Sequence, residues 1–404
     1  MMGERKILHL DLDAFFCAVE ELRQPELKGV AFAVGGKPDE RGVVASCSYP
    51  ARQFGVRSAM PMRQALKLCP QLVIVSGRHH DYSIASQGVM DILHNLTPLV
   101  EQLSIDEAFL DVSDLPSPGE VIASSLQEHI TRSTRLPCSI GVAPNKLVAK
   151  IATDYGKSQH KGLGPPCAIT VVHPGEEGGF LSSLPVSTLW GVGKKTEIRL
   201  KGLGVKTIGD LANMPETVLT QIFGKHGAEL ARNARGIDTR PVVTEHEVKS
   251  ISQEITFERD VSDLKRLKET LHLLSVQVGF RLRKSNLCAG TIRLKLRWAD
   301  FTTITRQSSV NQPVDQDGVI SKTVEGLFNG VWQTGKKVRL LGVGASNLRE
   351  EPTQPGLWDT SQDKERRLLS ALDALREKYG ADAILPGRTI RPSQRKRGKK
   401  QRAN

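Results

Sequence analysis

The sequence lacks the cysteine patterns that mark zinc sites and disulfide frameworks. Its six cysteines are scattered through 404 residues without a Cys-x-x-Cys pair or a cluster of cysteine and histidine, which argues against both kinds of site. It also lacks any apolar run long enough to cross a membrane. The N-terminal stretch "MMGERKILHLDLD" has only a short apolar run, broken by two aspartates, so it does not predict a signal peptide. We therefore expect a cytoplasmic protein without membrane segments.

The length and charge of the chain further limit the classes of protein to which it could belong. A chain of 404 residues exceeds one ordinary domain, and an apolar fraction of 39% is enough to build several cores. Lysine and arginine outnumber aspartate and glutamate by 56 to 44, which gives a net charge of +12. Part of this excess is local, because residues 388–404 hold eight basic residues and no acidic one. The charge favours a polyanionic partner, most simply nucleic acid.

Strand and helix signals in the N-terminal part of the chain predict a ferredoxin-like sheet. Residues 6–13, "KILHLDLD", alternate between apolar and polar positions, as a half-buried strand does. Residues 99–113, "LVEQLSIDEAFLDVS", are typical of a β-hairpin with two acids near its tip. With residues 20–78 set aside as an insertion, the predicted order resembles a βαββαβ unit. In such a sheet the first strand and the hairpin can be neighbours, so Asp11 and Asp106 are expected to face each other.

The carboxylates expected at the strand ends would lie close together, and such a cluster needs a physical reason. Bringing them close together costs several kcal/mol unless protons or a cation compensate. Oxygen ligands without a cysteine or histidine cluster point to Mg²⁺, which is usually held by one or two protein carboxylates and by substrate phosphates. The alternative is that Asp11 and Asp13 in one strand, and Asp106 and Glu107 in the hairpin, are turn and capping residues in water. The residues alone leave both interpretations open.

Four stretches of the chain resemble the motifs of a Y-family, translesion-type DNA polymerase, most of all its DinB or DNA polymerase IV class. They are "HLDLDAFFCAVE", "CSYPARQFGVRSAMPMRQALKLCP", "SIDEAFLDV" and "SIGVAPNKLVAKIATDYGK", and the resemblance covers about residues 5–350. It implies nucleotidyl transfer at a site with two Mg²⁺ ions. Asp11, Asp106 and Glu107 would be the metal-binding and catalytic carboxylates, and the Leu12 carbonyl would complete the ion on the nucleotide side.

The resemblance gives Phe16 the role of a steric gate. An aromatic ring against the sugar of the incoming nucleotide leaves no room for a 2′-hydroxyl, so ribonucleotides are rejected. From the residues alone, Phe15 and Phe16 would be ordinary core aromatics.

Three further residues are expected at the triphosphate. Tyr49 and Arg52, three apart in "SYPARQFG", lie on one face if the segment is helical, and the resemblance has them grip the phosphates. Lys157 matches a third contact and follows Gly156, where we expect the helix "NKLVAKIATDY" to stop. The loop "GKSQHKG" departs from the tighter turn usual in the family, so Lys161 is the competing candidate.

Two basic stretches predict contacts with the DNA backbone. The stretch "LWGVGKKTEIRLKGLGVKTIGDLA" resembles a helix-hairpin-helix, whose glycines let backbone N–H groups approach a phosphate. The stretch "TIRLKLRWADFTTITRQ" alternates basic and apolar residues, as a strand with one cationic face does. A structural turn and a solvated strand face are the alternatives. The candidate contacts are Gly191, Gly193, Lys194 and Lys195 in the first stretch, and Arg293, Lys295 and Arg297 in the second.

The fold class implied is a multidomain α+β protein. The resemblance divides it into a palm (1–19 and 79–168), fingers (20–78), a helical thumb (169–242), a little finger (246–350) and a tail (351–404). The tail comprises a linker, an amphipathic helix and a basic end. Its "QPGLW" stretch fits a pattern that bacterial sliding clamps accept, with Gln354, Leu357 and Trp358 as contacts, although Trp358 could instead pack on the protein.

These features predict an enzyme, a low-fidelity DNA-directed DNA polymerase that extends primers and bypasses damaged template bases. The expected partners are primer-template DNA, deoxynucleoside triphosphates and a sliding clamp, and the expected state is a monomer. No exonuclease motif is visible, so proofreading is not expected. One alternative is a catalytically silent DNA- or clamp-binding accessory protein of the same fold, which would need no metal site. Another is a palm-like nucleotide cyclase, which would need neither the helix-hairpin-helix nor the cationic strand.

Overall fold

A computed structural model describes residues 5–350, 360–380 and 384 of the chain, and for residues 360–366 the description covers the backbone alone. The chain forms two compact units, Met1–His246 and Glu247–Asn404. Across these described ranges, no helix is long and apolar enough to cross a membrane. The expected clamp contacts Gln354, Leu357 and Trp358 lie outside the described residues, as does the basic end of the tail.

The first unit mixes strands and helices up to about residue 171 and is helical after that. Its elements in chain order are β1 (Ile7–Leu12), α1 (Phe15–Arg23), β2 (Phe32–Gly35), β3 (Val44–Cys47), α2 (Tyr49–Gln53), α3 (Met62–Leu68), β4 (Val73–Val75), α4 (His79–Leu96), β5 (Val100–Gln102), β6 (Glu107–Asp111), α5 (Gly119–Thr134), β7 (Cys138–Ala143), α6 (Lys146–Gln159), β8 (Ile169–Val171), α7 (Glu177–Ser182), α8 (Lys194–Gly202), α9 (Ile208–Ala212), α10 (Glu216–Phe223) and α11 (Lys225–Ala234).

The largest sheet of this unit has the strand order β5-β6-β1-β7-β8. Strands β1, β5, β6 and β7 form the predicted ferredoxin-like arrangement, which is confirmed, and β8 adds a parallel strand beside β7. The predicted alternation in β1 is also confirmed. Leu8, Leu10 and Leu12 point into a core shared with α4 and α5, whereas Ile7 lies in a second core with α6.

The inserted segment forms a small sheet of its own, in the order β3-β2-β4. The hairpin expected for "VAFAVGG" and "VVASCS" is present, with Ala33 opposite Cys47 in an antiparallel register. Strand β4 was not expected from the sequence and runs parallel to β2. Helix α2 follows β3 directly and begins with the Ser48 side chain accepting a hydrogen bond from the Ala51 N–H.

Helix α6 continues through Gly156 to Gln159, so the prediction that Gly156 stops this helix is wrong. The reason for glycine here is packing against the neighbouring strand β8. A Cβ atom at Gly156 would lie 2.3 Å from Thr170 Oγ1 and 3.0 Å from Ala168 Cβ. Glycine therefore allows α6 to approach the sheet closely, and it costs the helix less than the clash would.

The second unit is a sheet covered by two helices, as expected for residues 246–350. Its strands follow the order β11-β10-β12-β9 and all their pairings are antiparallel. Helices α12 and α13 pack on the apolar face. The elements are β9 (Ser250–Val261), α12 (Leu264–Lys284), β10 (Leu287–Trp298), β11 (Thr303–Val314), α13 (Asp317–Asn329), β12 (Val338–Glu350) and, beyond the linker, α14 (Thr360–Tyr379).

Candidate active site

Three acidic residues lie at one end of the adjacent strands β1 and β6. Asp11 and Glu107 are register partners in the antiparallel ladder. The Leu12 N–H donates to the Asp106 carbonyl across 2.9 Å, which extends the pairing beyond the end of β6. The Asp106 carboxylate accepts a hydrogen bond from Ser104 Oγ at 2.6 Å. The predicted sheet order thus brings the carboxylates together, although the direct partner of Asp11 is Glu107 and not Asp106.

Helix α6 supplies two cations to the acids at the ends of β1 and β6. Lys157 Nζ lies 2.6 Å from Asp11 Oδ1 and 3.1 Å from Asp13 Oδ1. Lys150, two turns earlier, forms an ion pair with Glu107 Oε1. Because residues seven apart share one face of a helix, α6 presents both lysines to the strand ends.

The carboxyl groups differ in their electrostatic surroundings. Burial raises the pKa of Asp106, and the charges of Asp11 and Glu107 add to that increase. Burial would also raise the pKa of Glu107, but hydrogen bonds from His9 and Lys150 outweigh it and lower this pKa to about 2. Burial raises the pKa of Asp13, which Lys157 partly offsets. Glu107 is therefore held as a carboxylate at neutral pH.

Two of the side chains that donate hydrogen bonds to these acids, His9 and Lys150, are not among the residues predicted from the sequence. His9 is fully buried and its Nε2 atom lies 2.6 Å from Glu107 Oε1, while burial lowers the pKa of the imidazole. A signal for Lys150 exists in its seven-residue spacing from Lys157. A signal for His9 exists in its position on the same face of β1 as Asp11.

The donor set at the strand ends fits a hard divalent cation in kind, because carboxylate oxygens dominate it. Within the described ranges, no three acidic, histidine or cysteine side chains converge closely enough to hold a metal ion. The lysines account for this arrangement, since Asp11 is drawn to Lys157 and Glu107 to Lys150. Asp11 and Glu107 are thus paired with ammonium groups, whereas the Asp106 carboxylate accepts a hydrogen bond from Ser104.

Tyr49 and Arg52 lie on one face of α2, as predicted. The Arg52 guanidinium sits over the Tyr49 ring, 4.7 Å from its centre. The Tyr49 hydroxyl is buried and has no hydrogen-bond partner among the residues that the structure describes, and burial raises its pKa. The ring of His160 meets the Tyr49 ring edge-on at 6.2 Å. A buried phenol without an acceptor is a ready hydrogen-bond donor for an anion.

Lys161, the competing triphosphate candidate, has a different environment. Its carbonyl accepts a hydrogen bond from Gln53 Nε2 at 3.4 Å, as does the Gly162 carbonyl. Its side chain is exposed. Only Lys157 of the two candidates pairs with the acids of β1.

Phe16 belongs to an aromatic cluster at the start of α1. Its ring stacks on Tyr82 with centres 4.3 Å apart and an interplanar angle of 15°. His79 meets it edge-on at 5.9 Å. Tyr82 is fully buried and its hydroxyl donates to Glu20 Oε1 at 2.7 Å. Tyr82, which the sequence analysis missed, therefore fixes one face of the predicted gate.

The predicted DNA contacts fall on two exposed surfaces, one in each unit. Gly191 has a left-handed φ of 99°, and Gly193 is the N-cap of α8. Lys194 and Lys195 are exposed in the first turn of that helix. Helix α9 follows after a turn and begins with a capping box between Thr207 and Asp210. The helix-hairpin-helix is thus present, with its glycines and lysines at one accessible corner.

In the second unit, the predicted alternation of β10 is confirmed. Ile292, Leu294, Leu296 and Trp298 are buried, whereas Arg293 and Lys295 line a cavity of about 210 Å³ on the open side of the sheet. Lys295 pairs with Glu254 at 2.7 Å. Arg297 donates to Thr303 Oγ1 at 2.8 Å, and Arg293 reaches Gln307 at 3.5 Å.

Known families match most of the chain. A family model described as the impB/mucB/samB family matches residues 10–154, and the model of its C-terminal domain matches residues 248–357. A model described as the thumb domain of DNA polymerase-iota matches residues 187–238. The last of these contains the helix-hairpin-helix.

Curated relatives and solved structures agree with these matches. A DNA polymerase IV of Dehalococcoides mccartyi is 41% identical over 96% of this chain and 99% of its own length. DNA polymerase IV 1 of Bacillus subtilis is 36% identical over 98% of this chain and 96% of its own. A Y-family DNA polymerase chimera superimposes with a TM-score of 0.76 at 25% identity, covering 86% of this chain and all of its own. DinB from Sulfolobus solfataricus gives a TM-score of 0.58 at 26% identity, with the same coverage. The chain therefore belongs to the Y family of DNA polymerases, the translesion-type enzymes.

Proposed function

We propose that this chain is a template-directed DNA polymerase of low fidelity, which extends primers past damaged template bases without proofreading. The observation that carries the proposal is the position of Asp11, Asp106 and Glu107 at one end of adjacent strands in a Y-family palm. A carboxylate group of this kind, beside residues suited to a triphosphate, serves nucleotidyl transfer.

The carboxylates of Asp11, Asp106 and Glu107 are proposed to hold two Mg²⁺ ions. Glu107 would bind on the side of the primer hydroxyl, and the Leu12 carbonyl on the side of the nucleotide. When bound, Mg²⁺ supplies activation of the primer 3′-hydroxyl and neutralisation of charge on the leaving pyrophosphate. Glu107, with its pKa lowered to about 2, is available as an anionic ligand throughout the neutral range.

Tyr49, Arg52 and Lys157 are proposed to bind the triphosphate. The buried Tyr49 hydroxyl has no acceptor within the described residues, so an entering phosphate oxygen would remove the cost of leaving it unpaired. The Arg52 guanidinium adds a charge-assisted fork. Lys157 contacts Asp11 and Asp13 and interacts electrostatically with Tyr49, and burial does not neutralise it because Asp11 and Asp13 raise its pKa.

Phe16 is proposed to reject ribonucleotides. Its ring is stacked on Tyr82 and bordered by His79, so it has little freedom to turn away from a 2′-hydroxyl. A rigid aromatic wall excludes the added oxygen by volume and offers it no hydrogen bond.

Primer-template DNA and deoxynucleoside triphosphates are the proposed substrates. Gly191, Gly193, Lys194 and Lys195 would contact the backbone from the first unit, and the basic face of β10 from the second, because such contacts position a duplex without reading its sequence. We further propose that the protein acts as a monomer in the cytoplasm. A sliding clamp is proposed to bind through Gln354, Leu357 and Trp358.

Primer extension tests the proposal. Wild type, Asp106→Asn and Asp111→Asn would be given a labelled primer on an undamaged template with deoxynucleotides and Mg²⁺. Asp111 ends the same strand β6 at its opposite end, so Asp111→Asn is a matched control. We expect extension by wild type and the control, and loss of about a thousandfold or more in Asp106→Asn with DNA binding retained. Tight binding without extension by wild type would favour the silent accessory protein.

A further inference from the structure

His9 lies directly behind the catalytic carboxylate and has two fixed partners. It occupies the middle of β1, on the face shared with Asp11, and none of its surface is exposed. Its Nε2 atom is 2.6 Å from Glu107 Oε1, and its Nδ1 atom is 2.8 Å from Thr153 Oγ1. A chain of two short hydrogen bonds therefore runs from α6 through the imidazole to Glu107.

The chemistry of the partners assigns the tautomer of His9. An ionised carboxylate only accepts, so Nε2 must carry the proton that faces Glu107. In a neutral ring Nδ1 is then an acceptor, and the Thr153 hydroxyl donates to it. The hydroxyl also lies 3.0 Å from the His9 carbonyl and 3.1 Å from the Ala149 carbonyl and is able to donate to either of them. Donation to Nδ1, at 2.8 Å, is the arrangement that leaves neither ring nitrogen of the buried His9 without a partner, and it holds His9 in the form that donates to Glu107.

A missing side chain makes this contact possible. His9 and Gly141 are register partners in the β1–β7 ladder. A Cβ atom at Gly141 would lie 2.0 Å from the Ala149 carbonyl oxygen and 2.7 Å from Thr153 Oγ1. Because Gly141 has none, α6 packs close enough for Thr153 to reach the imidazole.

The hydrogen bonds to the Glu107 carboxylate all reach one of its two oxygens. His9 and Lys150 both donate to Oε1, and no donor reaches Oε2 from the part of the chain that the structure describes. Lys150 is a flexible side chain at a partly exposed position, whereas His9 is a rigid ring enclosed by the sheet and α6. The imidazole is therefore the group that can set the orientation of the carboxylate, and Lys150 balances its charge.

We propose that His9, fixed by Thr153, is a positioning residue that turns Oε2 of Glu107 toward the metal and the primer hydroxyl. This inference rests on the proposed polymerase function. Partners of metal-binding groups that act in this way typically account for 10–100-fold in metal affinity or activity.

Paired substitutions separate positioning from packing. His9→Phe removes both ring nitrogens at similar volume, and His9→Gln restores a donor near Nε2. Thr153→Val removes the hydroxyl at constant shape, and Thr153→Ser restores it. Thr323→Val, which removes a helical hydroxyl bonded to the Val319 carbonyl far from the carboxylates in sequence, is the matched control.

We expect His9→Phe to lower the single-turnover incorporation rate about 10–100-fold without changing the dissociation constants of DNA and nucleotide. His9→Gln should recover part of the loss. Thr153→Val should follow His9→Phe in direction, while Thr153→Ser and Thr323→Val stay near wild type. If His9→Phe does not fold, the isosteric Thr153→Val decides the matter.

Two measurements do not depend on turnover. Calorimetric titration with Mn²⁺ in the presence of DNA should show about tenfold weaker metal binding in Thr153→Val. Imidazole ¹⁵N spectra, assigned with His9→Gln, should show a proton on Nε2 of His9 in wild type. If the wild type extends primers and Thr153→Val matches it in both incorporation rate and metal affinity, the positioning role is overturned. Wild type without any extension would instead refute the polymerase proposal.

Discussion

Lys157 Nζ and Asp11 Oδ1 lie 2.6 Å apart, so a residue expected at the triphosphate touches a residue expected at the metal. Burial would lower the pKa of Lys157, but the charges of Asp11 and Asp13 outweigh it and raise this pKa. The ammonium therefore stays charged in a largely enclosed position. Its location beside Asp11 allows one side chain to serve both halves of the proposed site.

Replacing Lys157 by alanine should lower kcat/KM for deoxynucleotides by about 10–100-fold, because a charge-assisted phosphate contact is worth roughly 1.5–3 kcal/mol. Lys161→Ala is the matched control, since the Lys161 side chain is exposed, and it should stay within about twofold of wild type. Steady-state single-nucleotide insertion measures both. A larger loss in Lys161→Ala would show that the two lysines had been assigned the wrong way round.

Phe16→Val should admit ribonucleotides. Removing the ring opens space beside the sugar, while the stacked partner Tyr82 stays buried. We expect the ratio of ribonucleotide to deoxynucleotide insertion to rise at least about tenfold, with deoxynucleotide insertion reduced much less. Phe54→Val, at an exposed aromatic in the inserted segment, controls for loss of a ring. An unchanged ratio in Phe16→Val would rule out the gate.

Arg293→Ala should weaken DNA binding in a salt-dependent, sequence-independent way. Arg293 is exposed on the open face of β10, and within the described residues its guanidinium makes one hydrogen bond, a 3.5 Å contact with Gln307 Oε1. If it neutralises one phosphate, the slope of log affinity against log salt should decrease by about 1. Lys268→Ala removes a cation paired with Glu325 on α13, and its slope should not change. Binding isotherms at several salt concentrations would contradict the prediction if both variants kept the wild-type slope.

Asp238→Asn should destabilise the first unit in a pH-dependent way. Burial would raise the pKa of Asp238, but hydrogen bonds from Arg240 and the Leu147 N–H lower it below its ordinary 3.8. A depressed folded-state pKa stabilises the fold above pH 3.8, and this contribution is lost as pH falls through the folded value.

Asp238→Asn should therefore unfold with about 1–2 kcal/mol less stability at pH 7, and the difference should shrink below about pH 4. Thermal melts from pH 7 to pH 3 measure this difference. Asp114→Asn, at an exposed position, is the control and should track wild type throughout. A difference that persists unchanged at pH 3 would mean that the charge of Asp238 is not the cause.

The spacing of residues in the sequence did not predict several of the contacts that shape the candidate site. The alternation in β1 predicts that His9 and Asp11 share a face, yet nothing in that alternation brings Thr153 to His9. Gly156 is the residue type that commonly ends a helix, whereas its neighbours Thr170 and Ala168 show that here it allows close packing. Tyr82 lies far from Phe16 in the sequence, and only the packing of α4 on α1 stacks the two rings.

Local rules predict the acids at the ends of β1 and β6 and the cationic face of β10, because a strand alternates its faces. The neighbouring positions of β1 and the hairpin were predicted from the likeness to a βαββαβ unit, and the helix-hairpin-helix from the likeness of its stretch to that motif. Which donors reach which carboxylate depends on tertiary packing. Those contacts depend on how closely α6 approaches the sheet, and that distance is set where Gly141 and Gly156 meet their neighbours. Residues distant in sequence become partners only through such packing, which no local pattern encodes.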